Sequence, residues 1–181
     1  MVKWISMVSL IAGMAAAPGY AGATALPDTL AVGEETLYLN GAGVYEATVF
    51  NVDVFEAGLY VERTTRDGEA LLDSEQTRGL VLRFERAVER DEFLEVAASA
   101  LPDASGADGA QRDRFLSALP DADEGDVFAF TYHPRGALSL SKNGRAIVSV
   151  TDSALARKLF ASFIGPGAVT PDLKGALLGR G

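Results

Sequence analysis

The chain has 181 residues, 48% of them hydrophobic, which suffices for one domain with a full core and hardly for two. Its formal net charge of −9 argues against binding nucleic acid, whose phosphates repel an acidic surface. The sequence has no cysteine, which excludes disulfides, reactive thiols and cysteine-based metal sites, so the core alone must stabilise the fold.

The N-terminus has the pattern of an export signal. Lys3 supplies positive charge, residues 4–17 are uncharged and mostly apolar, and the small residues 21–23 suit a signal peptidase. The apolar stretch is shorter than the ~20 residues that span a bilayer, which argues against an uncleaved membrane anchor. We predict a signal peptide over residues 1–23 and a mature domain over residues 24–181 that is exported, to the periplasm if the source is a Gram-negative bacterium.

Strand patterns dominate the first part of the predicted domain. Two β-rich runs, residues 36–40 and 44–50, flank Gly41-Ala42-Gly43, which predicts a glycine turn or a bulge. A longer strand over residues 52–61 is apolar on both faces, so we expect both faces to be covered. Apolar residues alternate with other side chains over residues 80–85, which predicts a further strand.

Helical spacing replaces this alternation in the middle of the chain. Apolar residues between positions 93 and 101 recur at one-turn spacing, and acidic residues that favour a helix N-terminus precede them. We predict a helix there, a loop over residues 102–109 rich in glycine and aspartate, and a shorter helix over residues 112–119.

Three strands with tight turns follow. The strand at residues 126–133 ends in His133-Pro134-Arg135-Gly136, which fits a type I turn with proline second and glycine fourth. Residues 138–141 then run into Asn143-Gly144, a strong hairpin signal, and residues 145–150 form the returning strand. Tight turns between sequence neighbours predict an antiparallel sheet.

A helix with an apolar stripe over residues 155–163 comes next. Thr151 or Asp152 can cap its N-terminus, and Gly165-Pro166 ends it. Together with the antiparallel sheet, helices grouped in two blocks predict the α+β class.

The last helix has a signal at each end. Thr170 can cap its N-terminus with a hydroxyl, and Pro171 suits the first helical position, where a missing N–H is unpaired anyway. Gly179 can adopt the left-handed conformation that ends the helix. We therefore expect the tail to be ordered.

The acidic cluster Asp121, Asp123, Glu124 and Asp126 raises the possibility of a calcium site. It departs from the helix-loop-helix calcium pattern, because glycine stands at its fifth position and Tyr132 at the twelfth, where glutamate is needed. A solvated loop is the better interpretation, and no metal site is predicted.

Templates for catalysis and cofactor binding find little support. The single histidine, His133, falls in a turn, and no Gly-x-Ser-x-Gly elbow accompanies it, so a serine triad is not predicted. Gly41-Ala42-Gly43 lacks the third glycine and the following helix of a dinucleotide fold. We predict no cofactor.

Two arginines near one strand are candidates for contact with a ligand. Arg83 and Arg86 lie on or beside the strand at residues 80–85, and an arginine on an apolar sheet can bind a carboxylate through two hydrogen bonds. The alternative is a surface ion pair with Glu85, Glu89 or Asp91.

Five segments in order resemble the bacterial chalcone isomerase-like proteins, exported relatives of the plant chalcone isomerases and of the fatty-acid-binding proteins that share their fold. They are LYLNGAGVY (37–45), VDVFEAGLYVE (52–62), RDEFLEVAASAL (90–101), LSLSKNGRAIVSV (138–150) and LFASFIGPGAVTPDLKGALLG (159–179). The resemblance implies an open-faced sandwich, a curved antiparallel sheet with helices packed on one face and a ligand pocket between them.

The resemblance does not carry the isomerase residues with it. The chain has Tyr45, Phe55, Phe93 and Ala100 where the plant enzymes have arginine, threonine, tyrosine and asparagine, and Arg83 or Phe84 near the position of their lysine. Ring closure needs a cation near the phenolate and polar groups that hold water at the carbonyl, which phenylalanine cannot supply. An isomerase or lyase of this type, acting on an unknown substrate, is therefore the weaker hypothesis.

The favoured hypothesis is a non-catalytic protein that binds an apolar ligand, such as a fatty acid or other lipid, in the cleft. Phe55, Tyr60 and Phe93 would line the cleft, and Arg83 or Tyr45 would meet the polar head group. A structural or partner-binding module of the cell envelope needs no cleft and is the main alternative. An apolar cleft of ~300 Å³ or more with an arginine at its mouth would favour the binding protein.

Overall fold

The computed structural model describes residues 26–47, 52–101, 107–168 and 170–180. These residues form seven strands and five helices. The predicted signal peptide lies outside them. No helix within the described ranges is long and apolar enough to cross a membrane.

All seven strands pair antiparallel with their neighbours in sequence, so the sheet order follows the chain order. The strands are β1 (Thr29–Val32), β2 (Glu35–Ala47), β3 (Val52–Val61), β4 (Arg78–Phe84), β5 (Val127–His133), β6 (Ala137–Lys142) and β7 (Arg145–Thr151). The helices are α1 (Gly68–Asp73), α2 (Arg90–Ala100), α3 (Ala107–Ser117), α4 (Ser153–Ile164) and α5 (Pro171–Leu177). This architecture confirms the predicted α+β open-faced sandwich.

The main hydrophobic core lies between the sheet and the helices. Strand alternation directs every second side chain of β3, β4 and β5 toward the helices, as Leu80, Leu82 and Phe84 illustrate. The helices α1, α3, α4 and α5 contribute buried residues to the same cluster. One face of the sheet is thus covered by helices.

A smaller hydrophobic cluster covers part of the opposite face. Leu30 of β1, Leu37 of β2 and Tyr60 of β3 are buried there, and Leu26 packs against them. The Tyr60 hydroxyl donates a hydrogen bond of 2.7 Å to the carbonyl of Pro27. The prediction that β3 is covered on both faces is confirmed.

The Gly41-Ala42-Gly43 segment lies inside β2, which continues through it. The pairing register shifts between Leu39 and Gly41, so the predicted bulge is confirmed and the alternative of a turn is wrong. Helix α5 packs directly on the two glycines of the segment, Gly41 and Gly43, and leaves no room for a side chain there. A Cβ atom at Gly41 would lie 2.1 Å from the Ala176 carbonyl oxygen, and one at Gly43 would lie 2.7 Å from the Ala176 Cβ.

Asn40 connects β2 to the segment after β3 and to the C-terminus of α5. Its side-chain oxygen accepts a hydrogen bond from the backbone N–H of Thr65 at 2.7 Å, and its Nδ2 donates to the Leu177 carbonyl at 2.7 Å. These bonds satisfy a carbonyl at the end of α5 that has no partner within the helix.

Local signals at turns and caps are confirmed. Asn143 and Gly144 have φ values of 52° and 76°, the conformation of a type I′ hairpin. Asp152 accepts a hydrogen bond from Leu155 N–H at 2.9 Å and so caps α4. Thr170 caps α5 in the same way.

Three elements differ from the sequence expectations. Strand β1 and helix α1 were not predicted, because at four and six residues each is too short to show a clear hydrophobic period. Helix α3 begins at Ala107, inside the predicted loop, because packing of Phe115 and Leu116 in the core outweighs the low helix propensity of Gly109. Residues 102–106 lie outside the described residues.

A buried arginine, Arg78, lies in the core beneath α1. Its side chain is almost fully buried, and its Nη1 donates hydrogen bonds to the carbonyls of Leu71 at 3.0 Å and Ser74 at 3.2 Å. The guanidinium carbon is 4.3 Å from the centroid of the Tyr132 ring and 5.3 Å from that of Phe160. Burial lowers the pKa of Arg78 below its ordinary value.

The acidic cluster at residues 121–126 holds a loop together through hydrogen bonds. Asp126 accepts a hydrogen bond from Asp123 N–H at 2.7 Å and one from the Asn143 side chain at 2.6 Å, and Lys142 Nζ is 2.7 Å from its carboxylate. Partial burial alone would raise the pKa of Asp126, but the hydrogen bonds from Lys142, Asp123 and Asn143 lower it below the ordinary value.

We expect Asp126→Asn to destabilise the protein at neutral pH and to have less effect in acid. Because the folded-state pKa of Asp126 is depressed, its contribution is present above the unfolded-state pKa of about 4 and is lost as the pH falls through the folded value. The neighbouring residues 123–125 are exposed, so solvent screens the charge of Asp126 and the loss should stay under about 1 kcal/mol. Urea unfolding at several pH values measures it, with Glu124→Gln as control. An effect that is independent of pH would contradict this account.

Candidate functional site

A cavity of about 220 Å³ lies between the helix-covered face of the sheet and helices α2, α3 and α4. Seven of its lining side chains are aromatic, and most of the others are aliphatic. The Tyr45 and Phe55 rings stack with centroids 5.0 Å apart, and Phe84 meets Phe93 edge to face at 5.3 Å. Phe163 of α4 lies 6.4 Å from Phe55. The walls can therefore enclose an apolar group.

One ion pair marks the cavity's exposed end. Among the described residues that line the cavity, only Arg86 and Glu92 carry charge. Arg86 Nη2 donates to Glu92 Oε2 at 3.1 Å, and Arg86 Nη1 donates to the Ala87 carbonyl at 2.7 Å. The side chains of Arg86 and Glu92 are 36% and 53% exposed, so the pair faces solvent at the mouth of the cavity.

The fold and the cavity agree with the result of a family comparison. A family model described as chalcone isomerase-like matches residues 20–179, nearly the whole chain. The chain belongs to the chalcone isomerase-like family. This membership confirms the resemblance stated from the sequence, while the specific relation to bacterial members stays a prediction.

A solved structure agrees with the family assignment. The crystal structure of an Arabidopsis thaliana fatty-acid binding protein superimposes with a TM-score of 0.69, at 17% sequence identity. The match covers 84% of this chain and 90% of that chain. At this level of identity the likeness shows a shared fold. A search of curated protein sequences gave no match.

Three of the five predicted site residues meet in the cavity. Tyr45 of β2, Phe55 of β3 and Phe93 of α2 all contribute to its lining. Phe55 is linked to Phe93 through Phe84, which contacts both rings. The Tyr45 hydroxyl makes no hydrogen bond within the described residues, so it is a polar group available to a ligand.

Tyr60 and Arg83 do not line this cavity, which corrects their predicted positions. Tyr60 points to the opposite face of the sheet, where it is buried in the smaller cluster. Arg83 pairs with Glu56 at 3.0 Å and with Glu85 at 2.7 Å, so the alternative of an ion pair with Glu85 is the one observed. The reason is strand alternation, which turns Arg83 away from the face that carries Leu82.

Arg86 is the arginine at the cavity, although the sequence analysis favoured Arg83. Leu82 and Phe84 alternate along β4 toward the helices, and Arg86 is the next residue of that series, just beyond the strand. Continuing the two-residue alternation of Leu82 and Phe84 by one step predicts from the sequence alone that Arg86 lies on the helix-covered side of the sheet.

Aromatic rings occupy the positions that the family resemblance assigns to polar isomerase residues. Phe55 and Phe93 have no group that donates or accepts a proton, and Tyr45 has a neutral hydroxyl where the enzymes have arginine. The side chain of Ala100 lies outside the described part of the structure. These walls can hold an apolar molecule, and at positions 55 and 93 they offer no acid or base for ring closure.

Proposed function

We propose that this protein binds an apolar ligand, such as a fatty acid, in the cavity and catalyses no reaction there. The observation that carries the proposal is an apolar cavity whose charged lining, in the part of the chain that the structure describes, is the ion pair of Arg86 with Glu92 at its mouth. Such a site suits a molecule with one apolar end and one polar end, because each end then meets a matching environment.

The size of the cavity limits the ligand. Its volume of about 220 Å³ falls short of the ~300 Å³ expected from the sequence for a binding pocket, although an arginine does lie at its mouth. We therefore propose a slender chain, with its tail among the aromatic rings and its polar end near the exposed ion pair. A tail too long for the cavity would push the polar end past the ion pair into solvent.

Two further observations support binding without catalysis. The structure resembles that of a plant protein described as a fatty-acid binding protein, which makes this ligand class a reasonable first choice. Phe55 and Phe93 stand where ring closure would need polar groups, which is the reason to propose a binding protein over an isomerase. The alternatives are an envelope module without a ligand and an isomerase of unknown substrate, and the experiments must distinguish both from a binding protein.

The first experiment is to purify the protein under native conditions, extract it with organic solvent and analyse the extract by mass spectrometry. A stoichiometric lipid would support the proposal. A direct test of binding is to titrate the protein with octanoate, dodecanoate and hexadecanoate and to measure its melting temperature at each concentration. An empty protein whose melting temperature ignores all three acids would contradict the proposal and favour the envelope module, and turnover of a chalcone above the spontaneous rate would favour the isomerase.

We expect Ala97→Trp to weaken binding of the best acid by about tenfold or more. Ala97 lines the cavity from α2, so an indole at this position takes up space that the ligand needs. Competition with a fluorescent fatty acid measures the affinity. Ala110→Trp, at an exposed position on α3, is the matched control and should bind as the original protein does. If Ala97→Trp stays folded and binds equally well, the cavity is not the binding site.

We also propose that the protein acts outside the cytoplasm after residues 1–23 have been removed. The apolar, uncharged stretch after Lys3 and the small residues that follow it support this proposal. N-terminal sequencing of the protein recovered from its source cells tests it, and an N-terminus that retains the apolar stretch would contradict it.

A further inference from the structure

We propose that the ligand is an apolar acid, that Arg86 binds its carboxylate, and that Glu92 occupies the carboxylate's position until the ligand displaces it. This inference rests on the proposed function, because it assigns the polar end of the same cavity. It identifies Glu92 as an internal competitor that sets the affinity for acids.

The geometry of the ion pair supports displacement. Within the described residues, Arg86 and Glu92 are joined by one contact, Nη2 to Oε2 at 3.1 Å, whereas an arginine and a carboxylate can form two parallel hydrogen bonds. Both side chains are substantially exposed, and exposed pairs of this kind stabilise proteins very little. A ligand carboxylate therefore loses little by replacing Glu92.

The position of Arg86 fits a head-group site. The hydrogen bond from Nη1 to the Ala87 carbonyl holds the guanidinium beside the cavity even if Glu92 moves away. A chain inserted among the aromatic rings would place its acidic end near this cation. When a ligand carboxylate pairs with Arg86, the displaced Glu92 side chain can turn to water, because Glu92 is the more exposed of the two partners.

The other candidates for the head-group contact are weaker. Arg83 lies on the opposite face of the sheet and is already paired with Glu56 and Glu85. The Tyr45 hydroxyl lines the cavity but is neutral, so it would bind an alcohol and an acid with little discrimination. Only a cation predicts a preference for the acid.

The test compares dodecanoic acid with dodecanol, which have the same chain, by competition with a fluorescent probe at neutral pH. We expect the protein to prefer the acid. Arg86→Met should weaken acid binding by about tenfold or more and leave alcohol binding unchanged. Arg83→Met, which removes the same side chain from the other face, should change neither affinity.

Glu92→Gln tests the competitor directly. We expect it to tighten binding of the acid by up to about fivefold, because the ligand no longer displaces a charged group, and to leave the alcohol unaffected. Asp91→Asn removes a neighbouring charge from the same helical turn without touching the cavity, so it controls for the general change in charge.

The outcomes separate this inference from the proposed function. If neither the acid nor the alcohol binds, the proposed function fails and the inference fails with it. If both bind with equal affinity, or if Arg86→Met keeps the preference for the acid, the cavity binds apolar ligands and the head-group assignment is wrong. Loss of the preference in Tyr45→Phe, with Arg86→Met unaffected, would move the head group to Tyr45. Arg86→Gln, which removes the charge but keeps a polar side chain, provides a second variant if Arg86→Met folds poorly, and it should lose the preference for the acid in the same way.

Discussion

Gly41→Ala is expected to lower the free energy of unfolding by about 3 kcal/mol or more, an unusually large loss for the addition of one methyl group. The new Cβ would lie 2.1 Å from the Ala176 carbonyl oxygen and 2.8 Å from that of Leu177. Both atoms belong to the backbone of α5, so no side-chain rotation can relieve the clash. Urea unfolding monitored by circular dichroism measures the loss.

Gly175→Ala is the matched control, since it makes the same change within α5 itself. A Cβ at Gly175 would meet nothing within 4 Å, and alanine is the better helix former. We therefore expect this variant to be as stable as the original protein, or more stable by up to about 1 kcal/mol. Equal stability of Gly41→Ala and Gly175→Ala would mean that α5 does not pack closely on β2.

Arg78→Ala is expected to cost about 3–4 kcal/mol, whereas Arg78→Met should cost only about 1 kcal/mol. Alanine leaves a void between the Tyr132 and Phe160 rings and removes the donor to the Ser74 carbonyl. Methionine loses the same donor but fills the space, and its sulfur packs well against aromatic rings. The substitution to methionine also removes the buried positive charge of Arg78, and burial of a charge is unfavourable.

The comparison between the two Arg78 variants decides which effect dominates. No ion pair holds Arg78 within the described residues, so replacing its charge does not leave a buried carboxylate without a partner. Thermal and urea unfolding of both variants are the measurements. If methionine costs as much as alanine, the hydrogen bonds to Leu71 and Ser74 at the end of α1 stabilise the protein more than packing does.

Features encoded by adjacent residues were predictable from the sequence. The Asn143-Gly144 hairpin and the Thr170-Pro171 start of α5 depend on the backbone preferences of the residues themselves, so no distant contact was needed to recognise them. The antiparallel sheet followed, because short turns allow little else between consecutive strands.

Features that depend on distant contacts were not predictable in the same way. The segment 41–43 reads equally well as a turn or a bulge until α5, more than a hundred residues later, is seen to pack on it. Helix α1 is only six residues long, and its C-terminal carbonyls are satisfied in part by Arg78 of β4. Neither the packing of α5 on β2 nor the hydrogen bonds from Arg78 to α1 can be predicted from local propensity.

Only part of the candidate site was predictable from the sequence, because the site also depends on contacts between distant segments. The family resemblance pointed to Tyr45, Phe55 and Phe93, and all three line the cavity, while their contact with a ligand stays a prediction. Charge and nearness to a strand favour Arg83 and Arg86 alike, and only the face that each side chain takes distinguishes the two. Alternation along β4 contained that information.

The sheet order has a consequence for how the protein is made. Each strand pairs with the one synthesised just before it, so most of the sheet can assemble from contacts that are close in sequence, a topology that favours rapid folding. The cavity, however, takes Leu159, Ser162 and Phe163 from α4, which follows the last strand in the chain. A chain that has formed its sheet therefore cannot enclose a ligand until α4 has also packed against it.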